Sequence, residues 1–599
     1  MYQQFHATAQ PDQGPPRLTK LRQYLAQHDL DGFVVPRADA HQGEYVAPRD
    51  DRLAWLTGFT GSAGFCAVLP NIAGVFIDGR YREQVKDQVA EVFTPVNWPE
   101  TSLGTWLKDQ IKGPARIGFD PWLHAPQDIE TLQHSLDATD ISLVPVNNPV
   151  DAIWEDQPDP PRARAFPHPL ALAGESHGSK RARLASDMRQ AGHNAAILTL
   201  PDSIAWLLNI RGTDIPRNPV VHAFAILHAD GQVDLFLDPV KLEDMADHLG
   251  ANIRVHVPER FLPMLCNLDG PVVVDKSSVP MAVVQTLETA GVQVVLGTDP
   301  CVLPKARKNT TEIDGAIAAH VRDGAVMCEF LCWYDANAHT ALSEIDLVTQ
   351  LEQCRRDTGA LRDISFETIS GTGQNGAVIH YRVTHDTNRM LQDGDLVVLD
   401  SGGQYQDGTT DITRTLPVGS VGPEEKAAFT RVLQGMIAVS NLRWPKGLAG
   451  QHLEAIGRLP LWQAGQDFDH GLGHGVGSYL CVHEGPQRLS RLSDVPLEPG
   501  MILSNEPGYY RAGAFGIRIE NLVVVQEAAS ISTQDDHRHM LSFLTLTLCP
   551  IDRRLIDFTL LSGQEIHWLN HYHQTCRTVL GPHVSEDTYT WLDHATAPL

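Results

Sequence analysis

The sequence lacks the segments that mark a secreted or membrane-spanning protein. Residues 1–14, MYQQFHATAQPDQG, have no basic flank and no apolar core, so they do not resemble a secretory signal. The longest apolar stretch, residues 64–77, is interrupted by Pro70 and Asn71 and is shorter than a bilayer-spanning helix. We therefore expect a cytoplasmic protein.

Basic residues are scarce relative to acidic ones. The chain has 47 Lys and Arg against 73 Asp and Glu, a formal charge of −26. A field of this sign repels phosphate backbones and anionic lipid, which argues against a nucleic acid or a membrane as partner.

Paired cysteines are also missing. The nine cysteines are odd in number and scattered, and no C-x-x-C pair occurs. Neither a disulfide framework nor a thiolate zinc site is therefore indicated. We expect reduced and mostly buried thiols.

The length and composition indicate a folded chain of several domains. The 599 residues are 42% hydrophobic and 20% charged, which excludes a disordered chain and a single small module. The length fits three or more domains, or two of which one is oversized.

An internal repeat predicts that the N-terminal half is duplicated. The segment LAWLTGFTG at residues 53–61 is echoed by IAWLLNIRG at residues 204–212. Each copy follows an amphipathic helix and a β-like run, and precedes two apolar runs that end in an acidic turn, which is typical of α/β units. We predict α/β domains at residues 1–160 and 161–304, joined by the proline-rich linker 157–169.

The third predicted domain, residues 305–599, is of α+β type. Asn309 and Glu312 have the spacing of a capping box and predict a helix to about Trp333, and residues 343–359 predict another helix. Four β-like runs follow, at residues 396–402, 411–419, 501–510 and 516–525. The segment from about residue 540 is expected to pack on the same domain as an extension.

Two acidic residues lie at the ends of predicted strands. Asp400 follows the apolar run of residues 396–399, and a buried carboxylate there needs a partner. Asp411 opens the next β-like run after a turn-rich segment, so a hairpin would bring the two carboxylates together. Taken singly, each is more often a turn or strand-edge acid.

A glycine-rich segment carries three histidines. Residues 469–486 hold His470, His474 and His483 among five glycines, which favours metal or proton chemistry over a flexible loop. Farther on, Glu506 and Glu520 follow in β-like runs. Arg518 and Glu520 are two residues apart on one predicted strand face, where an exposed ion pair is the simpler interpretation.

Together these residues form an oxygen-rich ligand set: Asp400, Asp411, His474, Glu506 and Glu520. Four carboxylates and one imidazole suit paired Mn²⁺ or similar ions. Two divalent ions balance the four negative charges, and a bridging hydroxide leaves about one negative charge. A single ion would leave the cluster strongly anionic.

The sequence resembles the aminopeptidase P family, the Xaa-Pro aminopeptidases with a pita-bread fold, in its long three-domain cytosolic form. The resemblance rests on HQGEYVAPRDDRLAWLTGFTGSAG, DSGGQYQDGTTDITRT, GHGVGSYLCVHEGP, NEPGYY and GIRIEN, and runs almost end to end. It implies two creatinase/prolidase-type N-terminal domains, a pita-bread catalytic domain, a homodimer, and two divalent ions, Mn²⁺ first with Zn²⁺ or Co²⁺ as alternatives.

The resemblance also implies roles for individual residues. The five metal ligands of the family correspond to the acidic and histidine set named above, with Glu506 also the general base. The substrate histidines correspond to His380 and His483, and the active-site arginine to Arg518. The proline pocket corresponds to Phe366, Ile379, His380, His470, Val482 and His483, although plain core packing explains Phe366, Ile379 and Val482 equally well. Leu472 and Cys481 depart from the residues common in the family.

The implied reaction is hydrolytic release of the first residue of a peptide whose second residue is proline. That amide lacks an N–H and carries a ring that fixes φ. The alternatives are a prolidase acting on Xaa-Pro dipeptides, a metal-free creatinase-like enzyme, and a non-catalytic pita-bread binding protein.

Overall fold

A computed structural model describes residues 1–338, 341–531 and 537–599. The chain divides into two compact units. One contains residues 8–305, and the other combines residues 1–7 with residues 306–599. Among the described residues, no helix is long and apolar enough to cross a membrane. All nine cysteines are free thiols, and six of them are buried.

The first sheet of the 8–305 unit is a mixed six-stranded sheet. Its strands are β1 (Gly32–Pro36), β2 (Phe65–Val68), β3 (Ala73–Ile77), β4 (Thr94–Asn97), β5 (Ala115–Phe119) and β6 (Ile141–Pro145), in the order β4-β3-β2-β1-β5-β6. The helices around it are α1 (Gly14–Gln27), α2 (Arg52–Thr57), α3 (Gln84–Gln88), α4 (Leu103–Gln110), α5 (Pro126–Leu136) and α6 (Pro149–Ile153).

The second sheet of this unit repeats the first. Its region contains β7 (Phe166–Pro167), β8 (Ala195–Leu198), β9 (Ile210–Arg211), β10 (Phe224–His228), β11 (Val233–Phe236), β12 (Ile253–His256), β13 (Val272–Asp275) and β14 (Val294–Gly297). The sheet order is β12-β11-β10-β8-β13-β14, with the same alternation of parallel and antiparallel neighbours. The helices are α7 (Leu170–Ala173), α8 (His177–Gln190), α9 (Pro201–Leu208), α10 (Ala246–Leu249), α11 (Phe261–Leu265), α12 (Met281–Thr289) and α13 (Val302–Ala306).

The repeated sequence motif forms the same local structure in both copies. It contains α2 in the first copy and α9 in the second, and each helix ends on a residue with left-handed backbone, Gly58 at φ 89° and Asn209 at φ 50°. Gly and Asn tolerate that conformation, so both copies terminate the helix in the same way. The predicted duplication of an α/β domain is confirmed.

The unit that contains residues 306–599 opens with two capped helices, α14 (Thr310–Asn337) and α15 (Glu344–Asp357). Asn309 and Glu312 form the predicted capping box, with Asn309 Oδ1 accepting from Glu312 N at 3.1 Å and Glu312 Oε2 from Asn309 N at 3.0 Å. Helix α14 ends at Asn337, four residues beyond the predicted end at Trp333. The remaining helices are α16 (Pro423–Ser440), α17 (Gly450–Trp462), α18 (Gly563–Leu580) and α19 (Glu586–Ala595).

The strands of this unit are short and mostly antiparallel, as a mixed α+β catalytic domain predicts. They are β15 (Asp363–Ile364), β16 (Ile369–Thr372), β17 (Leu396–Ser401), β18 (Gly403–Tyr405), β19 (Gly408–Thr409), β20 (Ile412–Pro417), β21 (Arg443–Pro445), β22 (Gly473–Gly475), β23 (Glu484–Leu489), β24 (Ile502–Asn505), β25 (Gly508–Arg511), β26 (Phe515–Arg518), β27 (Asn521–Glu527) and β28 (Met540–Thr545). The sheets are β15-β18-β19, β16-β17-β20, β21-β28-β27-β24-β22-β23 and β25-β26.

Candidate metal centre

Antiparallel strands β17 and β20 bring the first two predicted ligands to one end of their pair. Asp400 lies near the end of β17 opposite Thr413, and Asp411 directly precedes β20. Both side chains are buried, at 8% and 4% exposure. The segment between the strands folds back as β18 and β19, so the predicted hairpin is present with two extra short strands.

His474 is the central residue of β22, and its side chain faces two of the carboxylates. Its Nε2 atom is 3.4 Å from Asp411 Oδ2 and 3.6 Å from Glu506 Oε1. Its Nδ1 lies 2.9 Å from the carbonyl of Gly475. A carbonyl only accepts, so Nδ1 carries the proton and Nε2 is directed at the carboxylates as a potential ligand.

Two glycines on β22 let the neighbouring backbone approach this histidine closely. A Cβ atom at Gly473 would lie 2.0 Å from the carbonyl oxygen of Ser504, and one at Gly475 would lie 2.1 Å from that of Glu484. Any side chain there would push strands apart. This explains why the segment with the histidines is rich in glycine.

Glu506 and Glu520 occupy breaks between strands. Glu506 separates β24 from β25 and precedes Pro507, which disfavours helical backbone at the residue before it. Glu520 separates β26 from β27, so the prediction that Arg518 and Glu520 share one strand is wrong: Arg518 ends β26 and Glu520 lies outside it. Arg518 is 2% exposed and Glu520 is 1% exposed, so an exposed ion pair between them is also excluded.

The carboxylates have fewer hydrogen-bond donors than their burial requires. Ligand atoms of Asp411, His474 and Glu520 lie within 4.8 Å of one another. Thr413 Oγ1 donates to Glu520 Oε2 at 2.8 Å, and Ser504 Oγ donates to Glu506 Oε1 at 3.2 Å. Three carboxylate oxygens of this cluster have no hydrogen-bond partner among the described residues: Asp400 Oδ1, Asp411 Oδ1 and Glu520 Oε1. Cations of an oxygen-preferring metal fit this arrangement.

Burial and the repulsion between like charges dominate the electrostatics of the cluster, and Arg518 and His474 offset them only in part. Burial raises the pKa of Asp400 to about 7, although Arg518 opposes the rise. Burial, followed by the charges of neighbouring carboxylates, raises the pKa of Glu520 well above its usual range, and burial also raises that of Glu506. Burial acts to lower the pKa of His474, but the hydrogen bond with Asp411 and the charge of Glu506 raise it to about 9. A metal would displace these protons.

Arg518 connects the cluster to its surroundings. Its Nη2 donates to Asp400 Oδ2 at 2.6 Å, and its Nε donates to Thr413 Oγ1 at 3.1 Å. Its Nη1 donates to the hydroxyl of Tyr510 at 2.6 Å and to the carbonyl of Ile379 at 3.4 Å. The guanidinium therefore fixes one carboxylate while reaching the segment that carries His380.

Two further histidines lie around the cluster. The ring of His483 is 4.3 Å from that of His474, centroid to centroid. His470 donates from Nδ1 to the carbonyl of Gly471, and its Nε2 accepts the hydroxyl proton of Tyr510 at 3.0 Å. His470 Nδ1 is also 3.9 Å from Glu506 Oε2. His470 therefore lies near Glu506, and His483 lies beside the candidate ligand His474.

The other predicted pocket residues have varied environments. Val482 is fully buried and Ile379 is 8% exposed, whereas Phe366 and His380 are half-buried. Sequence reasoning did not assign Thr413, Ser504 or Tyr510, whose hydroxyls contact Glu520, Glu506 and Arg518 respectively. The available signal was their position: Thr413 lies inside DITRT, Ser504 directly precedes NEPGYY, and Tyr510 is the last residue of NEPGYY.

Four family models match the chain in succession. The creatinase/prolidase N-terminal domain matches residues 17–153 and again residues 156–312. The metallopeptidase family M24 matches residues 315–527, and the C-terminal region of that peptidase family matches residues 539–599.

Two relatives match along nearly the whole chain. The probable Xaa-Pro aminopeptidase P of Laccaria bicolor is 38% identical, over 97% of this chain and 93% of that protein. Aminopeptidase P1 of Arabidopsis thaliana is 36% identical, over 97% of this chain and 99% of the plant protein. The chain belongs to the aminopeptidase P family.

Two solved structures resemble this chain to different extents. The X-prolyl aminopeptidase of Caenorhabditis elegans, described as a cytosolic enzyme with a di-nuclear active site, aligns with a TM-score of 0.93 and 31% identity over 98% of this chain and 100% of its own. The Xaa-Pro dipeptidase of Bacillus anthracis aligns with a TM-score of 0.51 and 23% identity over 63% of this chain, which shows a shared fold only. The Laccaria and Arabidopsis relatives and the nematode structure support aminopeptidase P better than the prolidase alternative.

Proposed function

We propose that this protein hydrolyses the first peptide bond of peptides whose second residue is proline, using two divalent metal ions. The observation that carries the proposal is the buried set of carboxylates around His474, in which three carboxylate oxygens have no donor among the described residues. Two cations would neutralise four carboxylates that otherwise repel one another.

The residues proposed to hold the metals are Asp400, Asp411, His474, Glu506 and Glu520. We propose Mn²⁺ as the metal, with Zn²⁺ or Co²⁺ as alternatives. When bound, such ions supply an acidified water and polarise the scissile carbonyl.

Glu506 is the proposed proton carrier. Its Oε1 accepts from Ser504 Oγ, which fixes one carboxylate oxygen, whereas its Oε2 lies 3.9 Å from His470 Nδ1, beyond hydrogen-bond distance. It would take the proton of the attacking water and pass it to the imino nitrogen of the leaving proline.

Two histidines and one arginine complete the proposed machinery. His483, beside His474, and His380 would hold the substrate and stabilise the negative charge that develops on the scissile carbonyl oxygen. Arg518 would orient Asp400 through its 2.6 Å hydrogen bond rather than contact the reacting atoms.

The proposed proline pocket combines apolar walls with imidazoles: Phe366, Ile379, His380, His470, Val482 and His483. A site for a tertiary amide must recognise a ring in place of an N–H, and apolar walls with polar imidazoles would do so. The complete burial of Val482 favours core packing for that residue.

Turnover of Ala-Pro-Ala and Ala-Ala-Ala tests the proposal. Filling a ring-shaped pocket contributes about 1–3 kcal/mol, or roughly 10- to 200-fold, and the fixed φ of proline adds orientation. We expect cleavage of Ala-Pro-Ala after the first alanine and very slow cleavage of Ala-Ala-Ala. Comparable kcat/KM values would refute the Xaa-Pro assignment and leave a general aminopeptidase. Preferential cleavage of the dipeptide Ala-Pro would indicate a prolidase.

The proposal also covers the cellular location, the oligomeric state and the domain boundaries. We propose a cytosolic location, because the nematode relative is described as cytosolic. We propose a homodimer, which sedimentation velocity would test. The domain boundaries 1–160, 161–304 and 305–599, with an extension from about residue 540, remain predictions, and residues 1–7 cluster with the last of these domains.

A further inference from the structure

Residues 1–7 belong to the same compact unit as the metal centre, although about 300 residues separate them in sequence from the rest of it. They form neither helix nor strand, and nonetheless Gln3 and Phe5 are buried. We call residues 2–6 the strap. Three sets of contacts attach the strap to the unit.

The first attachment is to helix α15. The carboxylate of Glu352, which is 2% exposed, accepts the backbone N–H of Tyr2 at 2.7 Å and that of Gln3 at 3.1 Å. A buried carboxylate that accepts two backbone donors fixes the chain direction, because losing either donor leaves a buried charge poorly paired.

The second attachment is to the segment before β16. The side chain of Gln3 donates from Nε2 to the carbonyl of Thr368 at 3.1 Å, and its Oε1 accepts the N–H of Thr368 at 2.8 Å. Thr368 lies two residues after Phe366, the proposed pocket wall. The next residue, Ile369, is the register partner of the metal-site residue Asp400.

The third attachment is to the segment that follows His380. The carbonyl of Phe5 accepts the N–H of His385 at 2.8 Å. The ring of Phe5 packs in a buried cluster with Tyr381, Val383 and Ile369. Tyr381 directly follows His380, so the strap contacts this segment at Tyr381, Val383 and His385.

We propose that the strap is a positioning element for the substrate pocket, holding the Phe366 segment and the His380 segment in register. This inference rests on the proposed function, because the pocket is defined by it. The side chain of Gln3 hydrogen-bonds to the Phe366 segment, and the ring of Phe5 packs against the His380 segment. The strap therefore joins the two segments. A shift of about 1 Å at substrate-holding groups can cost as much as 10²-fold in rate, so loss of the strap contacts should be detectable.

The variants Gln3→Met and Phe5→Ala remove one attachment each. The matched control is Gln4→Ala, since Gln4 lies on the same strap with an exposed side chain. Phe5→Leu keeps an apolar group in the cluster and tests rescue, including the case in which Phe5→Ala does not fold. Each protein is assayed for kcat and KM with Ala-Pro-Ala, for metal content, and for amide hydrogen exchange.

We expect Gln3→Met and Phe5→Ala to raise KM for Ala-Pro-Ala by roughly 10-fold with unchanged metal content. Amide exchange should accelerate in residues 366–370 and 378–385, and Gln4→Ala and Phe5→Leu should stay near the wild type. An unchanged KM in both variants, or a KM change that only accompanies metal loss, overturns the inference. If the wild type does not cleave Ala-Pro-Ala, the proposed function fails, and unchanged exchange in those two segments would then overturn the strap inference separately.

Discussion

Replacing Glu520 with glutamine should have opposite effects on stability with and without metal. Without metal, burial and the charges of Asp411, Glu506 and Asp400 raise the pKa of Glu520 well above its ordinary 4.5. Glutamine has nearly the shape of the protonated acid and keeps an oxygen for the Thr413 hydroxyl. The variant therefore reproduces the protonated state at every pH.

The direction in which the stability of the wild type changes with pH follows from proton binding. The folded wild type keeps this proton to a higher pH than the unfolded chain does, so its stability falls as pH rises above 4.5. One group contributes at most about 1.4 kcal/mol per pH unit, or up to about 3 kcal/mol between pH 5 and pH 7. In EDTA, the free energy of unfolding of Glu520→Gln should equal that of the wild type near pH 4.5 and should exceed it by a growing margin at higher pH.

Bound metal should reverse the order of stability, so that the wild type becomes more stable than Glu520→Gln. The wild type gains about 4 kcal/mol when free metal is 1,000 times its Kd, whereas the variant lacks one charged ligand and gains little. Thermal unfolding at several pH values, in EDTA and in Mn²⁺, measures both effects. Parallel pH dependence of the two proteins in EDTA, or an equal metal response, would refute the reasoning.

Four other substitutions test the remaining assignments. Asp400→Asn and Asp411→Asn should each abolish Ala-Pro-Ala turnover with an unchanged circular dichroism spectrum, and near-normal turnover with normal metal content would contradict the ligand assignment. His483→Ala should keep both metals and lose roughly 10² to 10³ in kcat, as measured on one preparation together with metal content, and loss of a metal would place His483 among the ligands. Thr413→Val removes the hydroxyl shared by the guanidinium and the buried glutamate and should weaken Mn²⁺ binding by about 10- to 100-fold in a metal titration. The control is Thr430→Val, on helix α16, and equal affinities in the two variants would contradict this role.

Local sequence patterns predicted those parts of the fold that depend on nearby residues. The Asn309–Glu312 capping box appears as expected because its two hydrogen bonds span only three residues. The repeat around Trp55 and Trp206 predicted the duplicated sheets, since similar sequences with similar helix ends fold alike. The candidate ligands were also identifiable, because their residue types fall within recurring motifs.

Features set by distant contacts could not be predicted. The run GIRIEN reads as one continuous strand, but Glu520 lies at a break where its carboxylate meets Thr413. The strap was assigned to the first domain, because nothing near Gln3 in sequence indicates its pairing with Thr368. Tyr510 was missed because its role depends on Arg518 and His470 together.

Metal stoichiometry tests the central claim most directly. The purified chain would be loaded with Mn²⁺, dialysed free of excess ion and analysed by plasma mass spectrometry beside Asp411→Asn. The account predicts two ions per wild-type chain and a loss of metal in the variant, because the buried carboxylates around His474 lack enough donors without cations. A wild-type chain that retains one ion or none, or a variant that retains two, would contradict it.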